Sequence, residues 1–333
     1  NAKIVQENDS IKQIFCIFVL IKSIFMTLQQ LEYIVAVDEH RHFVRAAESC
    51  GVTQSTLSSL IQKLETELDV AIFDRSCHPI EPTVLGKEII AQARVVLYNA
   101  SQMEELVSTH KDLSVGNISL GVASTIAPFI LPRLFSYMKK NHPDVVLHVE
   151  EARVETLKAK LQRAELDVAI LAMPVADDNL LEIPIFQERY LAYVSPQSEL
   201  FKESEIDTQH LRADEIWVLG ESYCPNVEQF PFCVRDISSV SIYAAGSIET
   251  LMRIVDENGG YTIIPELQLP LMSDAERENV RVLHNPVPGR EVAFVIRRDF
   301  VRQRMLNILA DAIKSIIPDE MINERIKKFA IKL

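Results

Sequence analysis

The sequence predicts an α/β protein made of an N-terminal helix-turn-helix segment, one long helix, and a larger module in which strands alternate with helices. Three observations carry this. Apolar residues recur at helical spacing from Leu28 onward with Gly51 placed to turn the chain, and an apolar seam in steps of four and three runs from Ile89 to Val107. From Gly116 the texture changes to short apolar runs separated by amphipathic stretches. At 333 residues, 48% hydrophobic and 24% charged, the chain has room for two or three domains with cores of their own.

The first 25 residues include an apolar run, Ile14 to Leu20, bounded by Lys12 and Lys22. It is too short to span a bilayer and no small-residue cleavage pattern follows it. Residues 1–25 are therefore expected to be an extension ahead of the natural start, with Met26 directly before the first patterned element.

Leu28 to Glu39 predicts a first helix around Leu31, Ile34 and Val35, and Phe43 to Cys50 a second around Ala46 and Ala47. After Gly51, Val52 to Leu68 predicts a third, with Val52, Leu57, Ile61, Leu64 and Leu68 inward. Its outer face carries Thr53, Gln54, Ser55, Ser58, Ser59, Gln62 and Lys63. Such side chains can reach base edges in a major groove, and Arg45 and Arg75 could clamp phosphates. A polar face is equally the surface of any solvated helix, so these residues alone leave both readings open.

Charge sets a bound on the partner. The net charge is −13, and residues 27–90 hold five Lys or Arg (Arg41, Arg45, Lys63, Arg75, Lys87) against ten acids. Non-specific affinity for a polyanion rests on neutralising phosphates, so it should be weak for one such domain. Dimerisation and a specific site would have to supply the rest.

Ile89, Ala93, Val96, Ala100, Met103 and Val107 form a seam suited to pairing with a second helix, which implies at least a homodimer. The alternative is a helix packed on its own domain. Beyond it, Ile118 to Val122 and Leu166 to Leu171 suit a parallel sheet, with a helix at about 130–140 and a strand at Val145 to Val149. Gly246 to Leu251 opens a further helix, and Gly259 to Pro265 turns into another strand.

Five cysteines are too few and too irregularly spaced for a secreted disulfide scaffold, which fits a reducing, cytoplasmic setting. Cys224 and Cys233 stand nine positions apart. Pro225 suits the first turn of a helix with Cys224 at its N-cap, and Pro231 discourages that helix from continuing. A helix N-terminus favours the reactive thiolate. In a helix the two sulfurs would start roughly 13 Å apart along the axis. A disulfide needs Cα atoms within about 7 Å, so bonding would remodel the segment. Free cysteine is also a common buried small hydrophobe, the reading kept for Cys50 and Cys77, and spacing alone does not decide between the two for the pair.

Phe43-Val44-Arg45-Ala46-Ala47-Glu48, Val52-Thr53-Gln54-Ser55-Thr56-Leu57-Ser58, Ile61, Leu64-Glu65, Leu68, Phe73-Asp74-Arg75, Thr83 and Gly86 together resemble the winged helix-turn-helix of LysR-type transcriptional regulators. The resemblance runs through essentially the whole chain from Met26. It implies a winged helix-turn-helix DNA-binding domain at 26–83, a linker and dimerisation helix at 84–114, and a two-subdomain α/β effector module like periplasmic binding proteins. Subdomain I would take 115–188 and 291–324, subdomain II 189–290, and a C-terminal tail 325–333.

Most LysR-type regulators bind a metabolite between the subdomains, whereas the OxyR branch senses hydrogen peroxide through a cysteine pair. Glu39-His40-Arg41-His42-Phe43, the stretch Gly121 to Pro132 with Thr125, and the two cysteines resemble that branch. The resemblance makes Cys224 the peroxidatic and Cys233 the resolving cysteine of a reversible intramolecular disulfide, and makes Thr125 and Arg297 peroxide-binding residues. Two positions depart from the branch: Tyr223 stands where a histidine is usual, and Val154 where a threonine is.

The resemblance thus implies a cytoplasmic peroxide-sensing regulator, an activator of oxidative-stress defence genes, that is not an enzyme and needs no cofactor. Its partners would be double-stranded promoter DNA, its own copies as dimer and tetramer, RNA polymerase, and a glutaredoxin- or thioredoxin-type reductant, with no membrane. The rival reading is a LysR-type regulator that binds a metabolite in its cleft; a thiol peroxidase is more distant. No metal is expected, since alternate spacing on one helix would put His40 and His42 on different faces. Gly259-Gly260 lacks the further glycines and lysine of a phosphate loop. The tail from Asp319 to Leu333, with Arg325, Lys327, Lys328 and Lys332, is expected to be a solvated amphipathic helix.

Overall fold

The computed structural model describes residues 26–110, 116–212, 214–219, 241–243 and 247–332. The chain divides into two compact units that meet between Ser101 and Gln102.

In the first unit, α1 (Leu28–His40) opens on a capping box. The Gln30 backbone N–H donates to Thr27 Oγ1 at 3.2 Å, and the Thr27 N–H donates to Gln30 Oε1 at 2.9 Å. Arg41 ends the helix in the left-handed region at φ 51°, and His42 then caps α2 (Phe43–Ser49), its Nδ1 accepting from the Val44 N–H at 3.2 Å. His40 and His42 therefore sit either side of a turn, not along one helix. Gly51, at φ 67°, turns the chain into α3 (Gln54–Leu68). This helix begins two residues later than the apolar pattern suggests, because Thr53 is its extended N-cap. Leu31, Ile34, Val37, Ala46, Ala47, Leu57, Ile61 and Leu64 close one buried core. A two-stranded wing follows, β1 (Phe73–Asp74) antiparallel to β2 (Glu81–Pro82).

The long helix α4 (Val84–His110) bears out the length expected of it but divides the seam. Ile89, Ala93 and Val96 pack, with Ile90 and Leu97, against the helix-turn-helix core, while Met103 is 69% exposed. The near half of the seam is thus engaged within its own domain. Arg94, between those residues, reaches Glu39 at 2.7 Å and Asp38 at 3.2 Å and ties α4 to α1.

The second unit contains β3 (Gly116–Ala123), α5 (Ala127–Asn141), β4 (Val145–Ala152), α6 (Val154–Gln162), β5 (Val168–Ala172), β6 (Leu180–Val194), β7 (Glu205–Asp207), β8 (Ile216–Leu219) and β9 (Ser241–Tyr243). After these come α7 (Ile248–Asn258), β10 (Tyr261–Pro265), α8 (Asp274–Arg277), β11 (Val280–His284), β12 (Gly289–Arg297), α9 (Gln303–Ile316) and α10 (Glu324–Lys328). The sheet is mixed where the apolar runs suggest a parallel one. β4, β3 and β5 are parallel, but β12 lies antiparallel against both β5 and β6. Buried strands of either sense read alike as continuous apolar runs, so the sequence does not distinguish them.

β6 serves two sheets. Leu180 to Arg189 pairs with β12, and from Tyr190 to Val194 the same strand pairs with β10. Around the first sheet, Leu120, Val122, Ile130, Leu134, Ile170, Phe294, Leu309 and Ile313 form a single core. In the second the two faces alternate as a strand demands: Tyr190, Ala192 and Tyr261 join one cluster, Leu191, Tyr193, Leu251 and Ile264 another.

The C-terminal segment corrects the expectation of a solvated helix. Only Glu324–Lys328 is helical, Ile322 bridges to Phe186, and Ile322, Ile326 and Ile331 are buried in the first core. Asn307 holds the end in place: its Nδ2 donates to the Ile331 carbonyl at 3.1 Å, and the Ile331 N–H donates to its Oδ1 at 2.7 Å. Three isoleucines gain more from burial than the basic residues between them lose, since the lysines lie outward.

Candidate functional site

The polar face of α3 is built as its sequence suggests. Thr53 Oγ1 accepts from the Thr56 N–H at 3.2 Å and lies 2.9 Å from Ser55 Oγ, so its hydroxyl starts the helix. Gln54, Ser55, Ser59, Gln62 and Lys63 are exposed and Ser58 is half-buried. Arg45 is exposed on α2. Arg75 is held in position: it donates to Glu65 Oε2 at 2.9 Å and lies over the Phe43 ring at 5.4 Å. The other oxygen of Glu65 accepts from the Ile72 and Phe73 N–H groups at 2.8 and 3.2 Å. One carboxylate therefore pins the wing to α3 and orients the Arg75 guanidinium, which stays two-fifths exposed. Polar side chains at a helix N-terminus flanked by oriented arginines can meet base edges and phosphates together.

A second constellation lies where the chain crosses between the two sheets of the larger unit. Glu188 on β6 and Arg290 on β12 are register partners, and their side chains are almost wholly buried. Arg290 donates from Nε and Nη2 to Glu188 Oε1 at 2.7 and 2.6 Å. Its Nη1 donates to Thr125 Oγ1 at 2.8 Å, and Nη2 also reaches the Thr125 carbonyl at 3.3 Å. Glu188 Oε2 accepts from the Leu267 N–H at 3.0 Å, in the 3-10 turn after β10. The Tyr190 ring lies 5.9 Å from the guanidinium carbon. A buried charge persists only when paired and hydrogen-bonded, and both conditions are met here.

Beside it, a cavity of about 810 Å³ is lined by Gln187, Arg189, Glu266, Pro288, Glu291 and Met321, among others. Arg189 donates to both oxygens of Glu266, and this hydrogen bonding holds the Glu266 carboxyl below the usual glutamate range.

Thr125 occupies the turn between β3 and α5. The structure brings it together with Arg290, not with Arg297. Arg297 sits at the other end of β12, roughly 20 Å along the strand from Arg290 at 3.3 Å per residue, where it donates to the Asp299 carboxylate at 2.9 and 3.1 Å. Val154 opens α6 and packs against the first core. Cys224, Cys233 and Tyr223 lie outside the described residues. Cys50 is a half-buried free thiol against the N-terminal core, and Cys77 donates to Asp74 Oδ2 at 3.5 Å in the wing. Among the described residues no three His, Cys, Asp or Glu side chains group to hold a metal, and no helix is long and apolar enough to cross a membrane.

Sequence reasoning missed Arg290 and Glu188. The signal was present: Ile185, Phe186, Tyr190 and Leu191 are apolar, and an acid inside such a strand requires a buried partner.

Comparison with known proteins completes the assignment. Residues 28–87 match the bacterial regulatory helix-turn-helix family model of LysR type, and residues 111–316 the LysR substrate binding domain. The hydrogen peroxide-inducible genes activator of Haemophilus influenzae is 31% identical over 299 residues, covering 88% of this chain and 99% of that protein. The Escherichia coli K12 DNA-binding transcriptional dual regulator OxyR is 30% identical, covering 87% and 95%. Among solved structures, a full-length OxyR cysteine-to-aspartate variant from Pseudomonas aeruginosa superposes with a TM-score of 0.75 at 32% identity, covering 88% of this chain and 99% of that one. With a helix-turn-helix, a long connecting helix and a two-sheet α/β module all in place, the chain belongs to the LysR family of DNA-binding transcription regulators, within its OxyR branch.

Proposed function

We propose that this protein is a hydrogen peroxide-responsive transcription activator switched by a reversible disulfide between Cys224 and Cys233. The observation that carries the reading is the near full-length match to peroxide-inducible activators in a chain that keeps two cysteines nine positions apart. The Cys224 thiolate attacks one peroxide oxygen, the O–O bond breaks, and its electron pair leaves on the other oxygen as hydroxide. The Cys224 sulfenic acid then condenses with the Cys233 thiol, releasing water and forming the disulfide. Thr125, with its hydroxyl proton free to donate once Oγ1 accepts from Arg290, is the group assigned to peroxide.

The same reading gives the protein its partners: promoter DNA through Gln54, Ser55, Arg45 and Arg75, a second copy through the outer part of α4 near Met103, a tetramer of such dimers, RNA polymerase, and a thiol reductant in a cytoplasmic setting. The test is a DNA footprint of reduced and peroxide-treated protein beside a Cys224→Ser variant. A footprint that changes with peroxide only when Cys224 is present supports the switch. A footprint indifferent to peroxide overturns it.

A second reading rests on the 810 Å³ cavity, which is within the roughly 300–1,000 Å³ usual for small-molecule sites. It makes the protein a metabolite-responsive regulator with incidental cysteines, and predicts a footprint change with a ligand and unreactive thiols.

A further inference from the structure

We infer that Glu188 is a positioning residue for the peroxide reaction, acting through Arg290 on Thr125; this rests on the peroxide reading above and assigns that site a buried carboxylate on the hinge strand. The geometry has three parts. Glu188 Oε1 takes two of the guanidinium's donors, which fixes the plane and reach of Arg290. The remaining end of that rigid fork lands on Thr125 Oγ1 at 2.8 Å and on the Thr125 carbonyl, so side chain and backbone of this turn are held at once. Glu188 Oε2 meanwhile accepts from Leu267 N–H, anchoring the arrangement to the turn that follows β10.

A hydroxyl has one proton and two lone pairs. With a cationic donor on its oxygen, Thr125 is left to donate, and among the described residues Oγ1 has no other partner. Its O–H is thereby polarised toward an oxygen that gains charge, as the departing hydroxide does when the thiolate takes the other peroxide oxygen. Without the Glu188 carboxylate the guanidinium is free to rotate off Thr125, and the donor loses its aim. The side chains are 102 and 165 residues apart in sequence along this path, so no local element would hold Thr125 in its place.

The experiment uses the full-length reduced protein and follows loss of the Cys224 thiol under hydrogen peroxide and, separately, under iodoacetamide. Glu188→Gln keeps an acceptor for Leu267 N–H while removing the charge. A misplaced donor slows the peroxide reaction by about tenfold or more, of the order expected for one oxyanion donor, and leaves alkylation unchanged, because alkylation expels iodide and needs no such donor. Thr125→Val should give a similar loss, and the double variant no further loss.

A Glu188→Gln protein that reacts with peroxide like wild type, or slows equally toward both reagents, overturns the inference. Should the single variant fail to fold, Glu188→Gln with Arg290→Gln removes both charges; wild-type peroxide reactivity in that protein overturns it equally. Wild-type protein whose Cys224 ignores peroxide refutes the underlying reading itself, an outcome separate from a reactive wild type with an indifferent variant.

Discussion

Gly86 offers a contest between two opposed effects whose outcome the structure decides. It lies in the first turn of α4, where its N–H donates to Thr83 Oγ1 at 2.9 Å. Replacing glycine by alanine inside a helix normally gains about 1 kcal/mol. Here a Cβ would stand 2.0 Å from the Ile72 carbonyl oxygen, 2.9 Å from its carbon and 3.0 Å from Thr83 Oγ1. The oxygen would have to retreat by more than an ångström. Ile72 is fully buried in the N-terminal core, and its carbonyl accepts from the Thr83 N–H at 2.9 Å. Overpacking of this kind costs about 1–3 kcal/mol, and weakening the bond to Thr83 adds about 0.5–1.5 kcal/mol. Against the helical gain, Gly86→Ala should destabilise the DNA-binding domain by roughly 2 kcal/mol. Trp217 is the only tryptophan and lies in the other unit, so its fluorescence reports that unit while circular dichroism reports both. Urea unfolding should show an earlier first loss of helix with the Trp217 transition unmoved. Equal or greater stability of the variant would mean that the close approach of α4 to Ile72 is wrong.

Three further substitutions probe separate parts of the account. Thr53→Ala removes the cap of α3 and should cost about 1 kcal/mol and weaken DNA binding in a mobility-shift assay, while Thr53→Ser should keep both. Ile326→Ala, in the docked C-terminal segment, should cost about 2–4 kcal/mol by the usual scale for buried isoleucine, measured by urea unfolding; a solvated tail would give nothing. Tyr193 is pushed up to about 12 by burial and by its hydrogen bond to Asp256. A raised folded-state value contributes stability that is complete below the ordinary tyrosine value near 10 and is lost as pH rises through 12. Tyr193→Phe should therefore flatten the alkaline limb of the stability curve between those values, and an unchanged limb would count against the buried hydroxyl.

Local pattern made most of the elements legible. The apolar spacing of Leu57, Ile61 and Leu64 placed α3 to within two residues, and the Ser247 and Gly259 boundaries of α7 follow from ordinary capping chemistry. What stayed hidden was non-local. Nothing in the Val292 to Ile296 run says that β12 lies antiparallel in a largely parallel neighbourhood, because burial erases the alternation that would betray its sense. The choice between Arg290 and Arg297 as companion to Thr125 failed for a related reason. Both arginines flank one strand whose register shifts between Val292 and Ala293, and only the fold says which end faces the turn after β3. The seam on α4 misled in a third way. A helix with apolar residues every three or four positions can meet its own domain as readily as a partner, and Ile89, Ala93 and Val96 do the former.

The most direct test of the central claim is to treat the purified reduced protein with equimolar hydrogen peroxide, trap the remaining thiols, and map disulfides by peptide mass. The account predicts a fast Cys224–Cys233 bond that a dithiol reductant reverses, with Cys50 and Cys77 left as thiols. Unmodified Cys224 and Cys233 under the same treatment would contradict it.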